Sequence, residues 1–134
     1  MNALKAYQKV NTQTSTTDAD PHKLIQLLMA GALERINMAK ARIQAKDYEG
    51  KGRLISKTLD IVSGLRSFLD FEKGGELAER LDGLYDYMER TLFTASVHND
   101  VTKLDEVSNL LRAIKEGWDG IREEAVAASY AHEA

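Results

Sequence analysis

A chain of 134 residues, 43% hydrophobic and 29% charged, is the size of one globular domain and has apolar content enough for a core. It contains no cysteine, which excludes a disulfide scaffold, a thiolate metal site and a cysteine nucleophile. Its net charge of −3 leaves no basic footprint overall, so nucleic acid is not an expected partner.

The charge is unevenly spread. Residues 1–46 carry seven Lys/Arg against three Asp/Glu, and residues 47–134 carry eleven against eighteen. One proline among abundant Leu, Ala, Glu, Lys and Arg favours helices. The opening ten residues include Lys5, Gln8 and Lys9 and no continuous apolar run, so no signal peptide is expected. A membrane span needs about 18 or more consecutive apolar residues and none occurs. A cytoplasmic protein without direct membrane insertion is the expectation.

Residues 1–20 read as a short apolar segment on a polar tether. In LKAYQKV, Leu4, Tyr7 and Val10 stand three apart, roughly on one face of a helical turn. NTQTSTTDAD then offers nothing to pack. Asp20-Pro21 is a helix start, with a capping oxygen and a proline where its missing N–H costs nothing. Ile25, Leu28, Ala32, Ile36, Ala39 and Ile43 follow at steps of 3 or 4 and predict a helix over about 21–46. Leu24, Leu27 and Gly31 widen that stripe.

Asp47 can cap a second helix, about 48–69, whose stripe is Ile55, Thr58, Val62, Leu65 and Leu69. Gly74-Gly75 breaks the pattern, and a third helix at about 76–98 carries Leu77, Leu81, Leu84, Met88, Leu92 and Ala95. After Asn99-Asp100 a fourth, about 101–121, carries Leu104, Val107, Leu111, Ile114, Trp118 and Ile121. Residues 122–134 read as a frayed tail. Short connections make neighbouring helices antiparallel, and stripes near a 3.5-residue period suit shallow crossing. The expected fold is all-α: an antiparallel up-down four-helix bundle over 21–121, with an N-terminal apolar cap segment.

Little here points to catalysis. The three histidines, His22, His98 and His132, lack the Glu-x-x-His spacing of a di-metal bundle, and no H-E-x-x-H motif occurs. EKGGEL has two glycines but no phosphate-loop pattern. Haem held by a Met/His pair is a rival reading, though a lone Met on a helix stripe usually fills a core. His22 and His98 are expected to be ordinary exposed residues. No cofactor or metal is expected, and the residues alone lead only to a non-enzymatic helical bundle.

The order of motifs goes further. LKAYQKV, the tether, DPHKLIQLLMAGALERINMAKARI, LDFEKGGELAERLDGLYDYMERTL and LDEVSNLLRAIKEGW together resemble the FliS family of flagellin-specific export chaperones, over about residues 4–121. The chain departs from the family pattern at Met29-Ala30, where an aromatic and an Asp are usual, and at Ala95-Ser96. The resemblance implies a cytoplasmic monomer or weak homodimer. It would bind the C-terminal segment of flagellin, block premature polymerisation and deliver its client to the flagellar type III export gate. A helical adaptor for another secreted partner is the alternative.

By resemblance, Leu4, Tyr7 and Val10 form a removable cap, with Tyr7 implicated in export-gate contact. Burying three such side chains gives roughly 5–9 kcal/mol, against roughly 7–14 for ordering seven residues, so docking would be weak. For the flagellin groove, apolar positions off the central seam are the candidates: Leu24, Leu27 and Gly31 on the first helix and Leu110 on the fourth.

Overall fold

Four aspartates start the four long helices. The Asp20 carboxylate accepts from the backbone N–H of His22 and Lys23, and Asp47 from that of Gly50 at 3.0 Å. Asp70 accepts from Glu72 and Lys73, both at 3.0 Å, and Asp100 from Lys103 at 3.3 Å. Each bond satisfies a donor that the first turn leaves without an intrahelical partner. The computed structural model of the chain describes residues 20–133, and its elements are α1 (Pro21–Gln44), α2 (Tyr48–Ser67), α3 (Phe71–His98), α4 (Val101–Gly120) and α5 (Arg122–Glu133). The readings that fall on Leu4, Tyr7 and Val10 lie outside the described residues.

Two corners at one end of the molecule use the same device. After α1, Lys46 takes a left-handed conformation (φ 60°), and the N–H of Asp47 reaches back to the Arg42 carbonyl at 2.8 Å. After α3, Asn99 does the same (φ 53°), with Asp100 N–H on the Ala95 carbonyl at 2.9 Å. In each, one left-handed residue closes a helix and the next residue, an aspartate, caps the following one. Such tight corners lay α1 on α2 and α3 on α4 as antiparallel hairpins. The pairings α1–α2, α2–α3, α3–α4 and α4–α1 then close a ring of four helices.

The core is the inner face of that ring. Leu28, Met29, Ala32, Ile36 and Ala39 come from α1, and Ile55, Ile61, Val62 and Leu65 from α2. Tyr85, Met88, Leu92 and Ala95 come from α3, and Leu104, Val107 and Leu111 from α4. Gly31 and Gly64 are buried on α1 and α2, the most extensively paired helices.

The sequence reading needs correction in four places. The third helix begins at Phe71 rather than 76: a first turn from Phe71 leads into a kink at Gly75 (φ 50°, ψ −127°), so the glycine pair bends an element rather than opening one. The first half of the stripe expected on it is also rotated, while Met88, Leu92 and Ala95 are buried as expected. Leu77 and Leu84 are exposed, while Ala78 and Tyr85 take the inward positions, one residue, or about 100°, around the helix. Residues expected to fray form α5, which touches α1 and α4. α1 and α2 end at Gln44 and Ser67, two residues before the expected boundaries.

Ion pairs knit the α2–α3 flank. Arg66 donates to Asp82 at 2.5 Å and lies 3.4 Å from both Asp86 and Glu89. The Arg66 hydrogen bond holds the Asp82 carboxyl below its usual range. Lys115 and Gln26 do the same for Asp119.

Backbone strain supplies a first prediction. Gly75→Ala forces a side chain into a conformation that only glycine adopts readily, and is expected to destabilise by about 1–3 kcal/mol. Lys46→Gly relieves the left-handed penalty and is expected to stabilise by up to about 1 kcal/mol. Urea-unfolding midpoints of the two variants should move in opposite directions. Acid supplies a second. Carboxylates with lowered folded values add stability above the unfolded range, near pH 4, and lose it as pH falls through the folded values. The melting temperature should be flat above about pH 5 and fall below about pH 4, with a shallower fall in Asp82→Asn.

Candidate functional site

At the end opposite the two tight corners, the start of α1, the end of α2, the start of α3 and the end of α4 enclose an apolar cleft of about 200 Å³. Ile25 and Met29 line it from α1, Leu65 from α2, Leu77, Leu81 and Tyr85 from α3, and Ile114 and Trp118 from α4. Phe68 and Leu69 on the α2–α3 connection complete the wall. The rim is unusually apolar for a free surface. Leu77 is 65% exposed and Phe71, just outside, 51%. Exposed apolar groups gathered at one place mark a docking surface.

A local backbone feature marks the mouth of the cleft: α3 kinks at Gly75, two residues before Leu77. The cleft contains few polar groups. Burial pushes the Tyr85 hydroxyl up to about 12, so it stays protonated and able to donate. Asp70 sits at the rim, its oxygen already engaged in capping α3.

One wall is rigid. The Trp118 ring stacks on His22 with centroids 4.5 Å apart and planes 10° from parallel. Trp118 Nε1 donates to the His22 carbonyl at 3.0 Å, and His22 Nε2 donates back to the Trp118 carbonyl at 2.6 Å. Arg122 donates to His22 Nδ1 at 3.1 Å and pairs with Asp20. Burial pushes the Asp20 carboxyl up, but Arg122 and the backbone N–H groups of Lys23 and His22 outweigh it and hold the group below its ordinary range. The expectation that His22 is exposed is therefore corrected: it is 4% exposed, because both ring nitrogens and one ring face are used inside this clasp. A haem held by His22 would have to break it. Among the described residues no group of three His, Cys, Asp or Glu side chains is placed to hold a metal.

A second apolar patch lies on the α2–α3 flank beyond the Arg66 network. Phe93 (64% exposed) and Val97 (58%) stand one turn apart on α3. Lys51 of α2 reaches across to α3, its ammonium on the Ser96 carbonyl at 2.7 Å and 5.9 Å from the ring centre of exposed Tyr48.

The structure distributes the sequence candidates over two seams. Leu24 and Leu27 are half-buried and Gly31 is buried. Helical spacing sets all three on the α1 flank that carries Met38 and faces α2. Leu110 is half-buried one turn after Glu106, which accepts from Tyr87 of α3, so it belongs to the α3–α4 seam. These four residues are not brought together. The cleft is built instead from residues such as Leu77, Leu81, Ile114 and Trp118, which the stripes assign to the core. The signal available in the sequence was Gly74-Gly75, one residue removed from Leu77.

The arrangement offers apolar clefts and grooves on a rigid frame, suited to holding an apolar polypeptide segment. The family model described as flagellar protein FliS matches residues 3–125. A flagellar secretion chaperone FliSB of Pseudomonas aeruginosa is 50% identical over 121 residues, which cover 90% of this chain and 96% of that one. Flagellar secretion chaperones FliS of Vibrio cholerae and Salmonella typhimurium are 44% and 40% identical, over 89% and 91% of this chain and 88% and 91% of their own. With a model match over nearly its whole length and such relatives, this chain belongs to the FliS family of flagellar proteins.

Proposed function

We propose that this protein is a cytoplasmic secretion chaperone that binds the C-terminal segment of flagellin, keeps it from premature polymerisation and delivers it to the flagellar type III export gate. The family is one of chaperones, not enzymes, and its relatives carry the name flagellar secretion chaperone. The observation that carries the client reading is the apolar end cleft with Leu77 exposed at its rim and Phe71 exposed just outside it. A segment that becomes helical in a filament has apolar faces, and those faces aggregate unless covered. Grooves between helices accept such faces, and the ordering entropy of an extended client keeps its complex releasable. Leu24, Leu27, Gly31 and Leu110 are proposed as flanking contacts, and Leu4, Tyr7 and Val10 as the displaceable cap.

Pull-down with full-length flagellin and with flagellin lacking its C-terminal segment tests the assignment. Capture of the full-length form alone is the expected result; equal capture of both would show that the client segment lies elsewhere. Leu77→Asp is expected to weaken capture strongly while leaving far-UV CD and melting near normal, because that side chain is mostly in solvent. Tyr7→Ala is expected to leave the fold and flagellin capture intact and to reduce binding to the cytoplasmic domain of the gate protein. Unchanged gate binding would remove Tyr7 from that role.

A further inference from the structure

The flank between α1 and α2 carries another surface, at the end of the bundle away from the apolar cleft. Met38 and Leu54 form the floor of an open groove of about 390 Å³ beside the Lys46-Asp47 corner. Its rim carries Arg42, Arg53 and Lys57 against one acid, Asp47. That local excess of positive charge sits on a chain whose net charge is −3.

The fold makes little use of these cations. Lys57 has no ion pair among the described residues. Arg53 meets Glu49 at 3.0 Å in a pair whose side chains are 65% and 86% exposed, and so solvated a pair exchanges freely. Arg42 stands 3.7 Å from Asp47, whose other oxygen caps Gly50. Met38 is 43% exposed, and its unbranched thioether adapts to whatever lies on it.

We infer that this groove docks an acidic amphipathic segment of a partner protein, with an apolar residue on Met38 and Leu54 and carboxylates against Arg42, Arg53 and Lys57. Charge complementarity selects the occupant. A free anion would leave the apolar floor unused. A second copy of this chain, joined face to face, would set cations against cations. Two antiparallel helices wall the groove and accept a segment lengthwise, and the α1 flank continues past the groove to half-buried Leu27 and Leu24. The groove shares no lining residue with the end cleft.

The test uses the full chain and a fluorescein-labelled helical peptide built of Leu and Glu, read by fluorescence anisotropy, beside a counterpart with Lys for each Glu. The acidic peptide is expected to bind saturably and more weakly as salt rises, and the basic one not to bind. The double variant Arg53→Glu with Lys57→Glu should weaken binding by roughly tenfold or more, and Met38→Ser by a smaller factor. Unchanged CD and melting will show that these exposed positions leave the fold intact. Amide shifts in ¹H–¹⁵N spectra should cluster at Met38, Arg53 and Lys57. Undiminished binding to the double variant would overturn the proposal, as would shifts confined to the end cleft. So would Lys57-dependent binding to phosphatidylglycerol vesicles with none to the peptide.

Discussion

Both hairpins of the bundle turn within the reach of a single left-handed residue followed by an aspartate, and the rest of the architecture depends on that constraint. Lys46-Asp47 and Asn99-Asp100 lie at the same end, so α1 and α2, and α3 and α4, leave that end already in contact. Hairpins joined so tightly have a fixed register, and their inner stripes meet as one core. At the other end the α2–α3 connection, Phe68, Leu69 and Asp70, is as short as the α1–α2 one but leads into a kinked first turn, and Phe68, Phe71 and Leu77 there stay exposed among the described residues. The cleft lies at that kinked end.

The open end is kept from collapsing by the His22–Trp118 clasp. It ties the first turn of α1 to the last turn of α4 through two hydrogen bonds, a ring stack and the Arg122–Asp20 pair. A buried polar network of this kind is stable only when its members are satisfied, and here both histidine nitrogens and the indole N–H have partners. The same clasp anchors the start of α5.

The four flanks of the ring differ in chemistry. Arg66 and its three carboxylates seal part of the α2–α3 flank and leave Phe93 and Val97 uncovered beyond it. Lys40 and Asp105 tie α1 to α4, and Tyr87 with Glu106 ties α3 to α4. The α1–α2 flank has no interhelical salt bridge of its own among the described residues and keeps its cations at the surface.

Much of this was legible in the chain. Steps of 3 and 4 in Ile25 to Ile43, Ile55 to Leu65 and Leu104 to Leu111, with Asp20 and Asp47 before their helices, are local properties that survive packing. The four long helices, their antiparallel order and most of the core followed from them. The site did not, because exposure is set by neighbours rather than by spacing. Leu77 and Leu84 keep helical rhythm with the core yet lie one residue around from it. His22 looks like a solvent residue until Trp118, almost the length of the chain away, closes over it. Leu24, Leu27 and Gly31 share a flank, but Leu110 belongs to another seam. The sequence by itself determined the four long helices and most of the stripe each buries, since both follow from periodicity and capping within a few residues; α5 and the first half of the α3 stripe were not among them. Only the tertiary structure decided which apolar side chains stay uncovered and where the open cleft lies. Those depend on how tightly each corner turns and on contacts between residues distant along the chain.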